Sequence, residues 1–175
     1  GALITNLHTG SPADQAGLEP GDVVVRVDGE EIENTGDLSR LSANSEPSQT
    51  ITTTAVRDGE ERQFEVRLAE RGTDDEITDA SHLWPGLAIV PLTESVRSRL
   101  NIGGNVSGVA VAQVYPESPT DAAGIQPGDV ITTVGDTNVS DAGAFYRQLR
   151  SVDQRERIQL AVNRQGSEET VRVRR

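Results

Sequence analysis

The chain has 175 residues, of which 34% are hydrophobic but only 3% aromatic, so its core must be built from Val, Ile, Leu and Ala. It has no cysteine, which excludes disulfides and Cys-based metal sites. A net charge of −12, with every one of the sixteen basic residues an Arg, argues against binding along a phosphate backbone, and no apolar run reaches the roughly 18 residues that a transmembrane helix needs.

In chain order, "GALITNL" (1–7) predicts a strand. A short helix follows. Ser11 suits its N-cap and Pro12 its first position, where a missing N–H costs nothing. Asp14, three residues on, is a short-armed version of a capping box. Gly17 suits a left-handed helix end, Leu18 packs back, and Pro20 blocks continuation. Gly21-Asp22 turns the chain into the strand "VVVRVDG" (23–29). A second helix, "NTGDLSRLSA" (34–43), precedes a hairpin whose turn is Asp58-Gly59. The acidic stretch 69–81 reads as a linker that lets its flanks reorient. "HLWPGLAIVPLTESVRSRLNIGGNVS" (82–107) then predicts a strand, a short helix and a turn.

From Gly108 the first pattern returns, 107 residues later and without a gap. Ser11, Pro12, Asp14, Ala16 and Gly17 meet Ser118, Pro119, Asp121, Ala123 and Gly124. Pro20, Gly21 and Asp22 meet Pro127, Gly128 and Asp129, and Arg57 and Gly59 meet Arg164 and Gly166. Two copies of one domain are expected, at 1–68 and 82–175, joined by 69–81. Each is an α+β unit of five to six short strands and two helices, a partly open barrel or sandwich. Nothing before Gly1 matches 82–107, so the first copy is expected to lack its N-terminal strand and to expose an unpaired edge. The alternating "TVRVRR" (170–175) is a candidate to cover that edge. A chain with no Met that begins "GALIT" reads as part of a longer protein.

The twice-occurring pattern S-P-x-D-x-A-G-Φ-x-P-G-D-Φ-Φ resembles the PDZ domains of bacterial proteins. Two in tandem, the second opening with "LWPGLAIVPLT", are similar to the C-terminal half of HtrA/Deg-type serine proteases. Site-2 metalloproteases and tail-processing proteases carry related domains. The resemblance implies capture of an extended peptide by adding a strand to a sheet edge. A loop of N–H groups would hold the terminal carboxylate, and an apolar pocket would select the last side chain. In the second copy this loop falls on Gly86, Leu87, Ala88 and Ile89. Ala88 stands where the family usually has glycine. A positive φ there would be penalised, unless Gly86 supplies the freedom two residues earlier. Leu87 and Ile89 also read as ordinary core positions. The pocket-lining helix is expected from about Asp141 to Arg150. Its apolar face is Ala142, Phe145, Tyr146 and Leu149, at i, i+3, i+4 and i+7, which a plain surface helix would bury entirely. Tyr146 is expected at the groove rim with a wet hydroxyl. Leu38 takes the place of Phe145 in the first copy.

No serine-nucleophile motif occurs, the only histidines are His8 and His82, and "NIGGN" (101–105) lacks the Lys of a phosphate loop. Asp22 and Asp129 read as turn residues rather than metal ligands. No catalytic group, metal or cofactor is therefore expected. The resemblance implies a non-catalytic peptide-binding and regulatory part of a periplasmic serine protease. Its partners would be peptides or unfolded C-termini, an upstream protease domain and a homo-oligomer, with no nucleic acid. The alternatives are the PDZ part of a site-2-type intramembrane metalloprotease, or PDZ modules used for oligomer assembly.

Overall fold

A computed structural model of the chain describes residues 1–70, 79–153 and 156–175. The chain divides into two compact units, Gly1–Asp79 and Ala80–Arg175. Most of the expected linker, residues 71–78, lies outside the described residues.

Unit 1 contains β1 (Ala2–Leu3), α1 (Pro12–Gln15), β2 (Val23–Val27), β3 (Glu30–Glu31), α2 (Thr35–Asn44), β4 (Thr50–Arg57) and β5 (Glu60–Arg67). Its sheet runs β1-β2-β4-β5, with β3 folded back on β2. Unit 2 contains β6 (Leu87–Pro91), α3 (Glu94–Leu100), β7 (Val109–Val114), α4 (Pro119–Ala122), β8 (Val130–Val134), β9 (Thr137–Asn138), α5 (Ala142–Ser151), β10 (Ile158–Arg164) and β11 (Ser167–Val173). Its sheet runs β11-β10-β8-β7-β6, with β9 on β8. Neither sheet closes into a barrel.

Local chemistry sets the helix ends. In α1 the Ser11 hydroxyl accepts from the Asp14 N–H, and in α4 Ser118 accepts from Asp121. The returning carboxylate overshoots the N-cap: Asp14 accepts from the Gly10 N–H at 2.7 Å and Asp121 from the Glu117 N–H at 2.8 Å. Both helices end in a Schellman motif. Gly17 adopts φ +91° and donates to Asp14, while Leu18 donates to Ala13. Gly124 and Ile125 repeat this on Asp121 and Thr120. The turn Asp58-Gly59 has φ of 53° and 87°, the mirror-image geometry that a two-residue hairpin requires.

The strand that follows α5 shows period-two burial: Ile158, Leu160 and Val162 are buried on β10 while its other residues are less so. The expected first strand of unit 1 shrinks to Ala2–Leu3 at the end of its sheet. The segment proposed to cover that edge is engaged elsewhere. Thr170 pairs with Ala161 and Val173 with Ile158 in the β10–β11 hairpin. A local hairpin closes a far shorter loop than an excursion to another edge would.

One device recurs in both units, at the aligned residues Asp22 and Arg57 and Asp129 and Arg164. Asp22 and Asp129 are 0% and 1% exposed. Each carboxylate is gripped through two nitrogens by an arginine from the end of a distant strand. Arg57 donates to Asp22 at 2.6 Å twice, and Arg164 to Asp129 at 2.7 Å twice. Each arginine also donates to the carbonyl of the helix-ending glycine, Gly17 or Gly124, at 2.8 Å. The planar guanidinium fork matches this geometry, as a lysine could not.

Candidate functional site

In unit 2, β6 is the terminal strand of its sheet and α5 packs against it. The chain enters β6 through Gly86, whose φ is +85°. The positive φ thus lies at Gly86 and Ala88 escapes the penalty, which decides between the two expectations. The Gly86 carbonyl is held by three donors: the Tyr115 N–H at 2.9 Å, the Ser118 hydroxyl at 3.0 Å and the Thr120 hydroxyl at 3.0 Å. Ser118 and Thr120 are buried. A Cβ on residue 86 would lie 2.2 Å from the Ser118 Cβ, so the position excludes any side chain.

Leu87 is fully buried and belongs to the central cluster of the unit with Trp84, Val109, Ile131, Phe145, Tyr146 and Leu149. Ala88 and Ile89 are half-buried. Opposite them the register slips, with Ala88 facing Gln113 and Ile89 facing Val111. On α5, which runs one residue later than expected, Asp141 is the N-cap and accepts from the Ala144 N–H at 2.8 Å. Ala142 is half-buried, whereas Phe145, Tyr146 and Leu149 are buried.

Tyr146 departs from expectation. Its side chain is 2% exposed, and its ring meets Phe145 edge-on at 5.1 Å. The hydroxyl is buried with no hydrogen-bond partner among the described residues. Burial pushes this phenol up to about 12. The wet rim position fails because the tyrosine belongs to the same cluster as Phe145 and Leu149, and a groove-side and a core-side residue cannot be told apart by helical spacing alone.

The matching face in unit 1 is smaller and more polar. Leu38 and Ser42 take the places of Phe145 and Leu149, and Ser39 that of Tyr146. Leu38 and Ser42 line an opening of about 430 Å³ with Ile4, Val24 and Thr53. Sequence reasoning missed Ser118 and Thr120 as anchors of the Gly86 turn. Ser118 was explained by its capping role, and Thr120 differed from Ala13, its counterpart in the repeat. That departure was the available signal.

The PDZ domain family matches residues 3–56 and again residues 86–174. The chain belongs to the PDZ family. Its two PDZ domains are similar to part of the probable periplasmic DegP-like serine endoprotease of Hahella chejuensis, 33% identical over 95% of this chain and 36% of that protein. The corresponding protein of Bartonella henselae is 33% identical over 79% of this chain and 28% of its own length. The tandem PDZ chain thus spans about a third of the curated relatives it matches. Among solved structures, the HtrA3 PDZ domain bound to a phage-derived ligand aligns with 51% of this chain and 80% of its own, at 24% identity and TM-score 0.44. The HtrA-type protease AlgW with a decapeptide aligns with 87% of this chain and 54% of its own, at 18% identity and TM-score 0.48. The intramembrane metalloprotease alternative finds no support in these comparisons.

Proposed function

We propose that this chain is the non-catalytic peptide-recognition and regulatory region of a DegP-like periplasmic serine protease. In this reading PDZ domain 2 captures extended segments or free C-termini by strand addition. The observation that carries the proposal is β6: a terminal strand beside α5, entered through a glycine turn that three donors hold in place. Backbone pairing along β6 gives sequence-independent affinity. The main chain at Gly86, Leu87, Ala88 and Ile89 receives the carboxylate. Ile89 and Ala142, both half-buried, would flank the last side chain of the peptide, over the buried Leu87, Phe145, Tyr146 and Leu149. The names of the relatives support the periplasm as compartment and an upstream protease domain as partner. Self-association through that parent protein, and the domain bounds 1–68, 69–81 and 82–175, belong to the same proposal.

Trp84, the only tryptophan, reports on the site. It is buried, two residues before Gly86, with the Arg175 guanidinium 5.9 Å from its ring. Peptides with free apolar C-termini should change its fluorescence and bind by calorimetry, whereas their C-terminal amides should bind at least about tenfold more weakly because the carboxylate is lost. Gly86→Ala should abolish the difference. Equal binding of acid and amide would refute the carboxylate grip, and no binding of either would refute peptide capture by this region.

A further inference from the structure

PDZ domain 1 shows what PDZ domain 2 lacks at a second groove, away from β6. In domain 1, Arg26 on β2 forms an ion pair with Glu61 on β5, and Glu31 on β3 stands opposite Arg26 in the strand pairing. The matching residues of domain 2 are Thr133 on β8, Glu168 on β11 and Asn138 on β9. The backbone frame is the same in both. Val56 faces Glu61 as Asn163 faces Glu168. The register shifts between Val24 and Arg26 in one domain and between Ile131 and Thr133 in the other. Domain 2 has thus kept the carboxylate and lost the arginine. In its place is an opening of about 330 Å³ whose walls include Ser107, Thr132, Thr133, Asn138, Asn163 and Glu168, with no basic side chain among the described residues that line it. Glu168 is exposed and has no ion-pair partner among the described residues, while its neighbour Glu169 takes Arg164 at 3.0 Å. The hydroxyls keep lone pairs to offer: Thr132 donates to the Ala161 carbonyl at 3.2 Å, and Thr133 accepts only the Ala161 N–H at 3.3 Å. The turn before Ser107 is held by Arg97, which donates to the Gly103 and Val106 carbonyls at 3.0 and 2.7 Å.

We propose that this groove binds an arginine side chain of a partner polypeptide, which brings from outside the guanidinium that domain 1 carries as Arg26. A guanidinium has five donors and no acceptor, and the groove offers it one carboxylate and several oxygens with spare lone pairs. Its planar fork can meet Glu168 through two parallel hydrogen bonds, which neither an uncharged urea group nor an ammonium matches. The groove is built from β8 to β11 and the turn before β7, with no residue of β6 or α5 in its walls. It therefore stands apart from strand addition and does not depend on it.

The test titrates the whole chain with the peptide Ser-Gly-Arg-Gly-Ser and follows backbone amide NMR shifts. The peptide is acetylated and amidated, so it presents no terminal carboxylate to β6. Shifts are expected at Thr133, Asn138 and Asn163, which line the groove, with a Kd of about a millimolar because the contact is open to water. The same peptide with citrulline for arginine keeps the shape and loses the charge. It should bind about three- to tenfold more weakly, and Glu168→Gln should weaken the arginine peptide by a similar factor. Thr133→Arg rebuilds the pair of domain 1 and should abolish the shifts, its fold being checked by the dispersion of the same spectrum. Equal binding of the arginine and citrulline peptides, shifts that miss these three residues, or full binding by Glu168→Gln overturns the inference. Retained binding by a folded Thr133→Arg overturns it as well. None of these results touches peptide capture at β6, which the comparison of acid and amide tests separately.

Discussion

At the scale of single residues the firmest device is the repeated aspartate–arginine fork. Arg164 joins the end of β10 to the turn before β8 and to the end of α4. Arg57 does the same in domain 1, where Glu19 lies 3.2 Å away as a second anion. Hydrogen bonding to Asp22 is the main reason that the Arg57 guanidinium is raised further above its ordinary value, and Asp129 acts likewise on Arg164. Because the aspartates are almost wholly buried, removing one partner strands a charge. Asp129→Ala and Arg164→Ala are each expected to cost domain 2 about 3 kcal/mol in denaturant unfolding. The double variant should cost much less than the sum, because the second change removes the charge left unpaired by the first. Strict additivity would show that the two groups do not act as a pair. The aligned Asp and Arg are visible in the sequence. Their partnership is not, because they lie 35 residues apart and only the sheet brings them together.

At the scale of elements, α5 packs against β6 and its N-terminus is set by Asp141. The carboxylate accepts from the Ala144 N–H and from the Ser140 hydroxyl, each at 2.8 Å. Its pKa is lowered, first by the Ala144 hydrogen bond and then by that of Ser140. A lowered folded-state pKa means that the cap stabilises above the unfolded value, about 3.9, and that this is lost as pH falls through the folded value. Asp141→Ala should therefore cost at most about 1 kcal/mol at neutral pH, since the group is exposed. The gap between wild type and variant should narrow at pH 3 in parallel denaturant titrations. A gap that does not change with pH would assign the cap to Ser140 or to the backbone. The start of α5 was legible from "SDAG" because capping is local. How deep each residue of its apolar stripe lies was not, because only packing in the cluster of Leu87 and Leu160 buries Phe145, Tyr146 and Leu149 and leaves Ala142 half-buried.

At the scale of the whole molecule the two domains differ in how well they fill their cores. Domain 2 builds one large cluster around Leu87, Phe145 and Ile158, with a second under α3 at Ile102, Ala110 and Val130. The cluster of domain 1 is smaller, and an opening of about 430 Å³ adjoins Val24, Ile51 and Val66. Ser42 and Thr53 stand there where domain 2 has Leu149 and Leu160. Buried apolar area dominates stability, so scanning calorimetry of this chain should resolve two transitions, the lower belonging to domain 1. Asp22→Asn should move only the lower transition and Asp129→Asn only the upper. A single transition moved equally by both would mean that the domains unfold as one unit.

The sequence by itself determined that there are two PDZ domains and where the short helix of each repeat, α1 and α4, begins and ends. These are matters of repetition and of contacts within a few residues, and the chain states them locally. Tertiary structure alone decided that the positive φ lies at Gly86, that Leu87 serves the core, that Ser118 and Thr120 hold the Gly86 carbonyl, that arginine rather than solvent completes Asp22 and Asp129, and that the Tyr146 hydroxyl is buried without a partner among the described residues. Each of these depends on which distant groups meet and how much water their meeting excludes, and hydrophobic spacing along one helix carries no record of either.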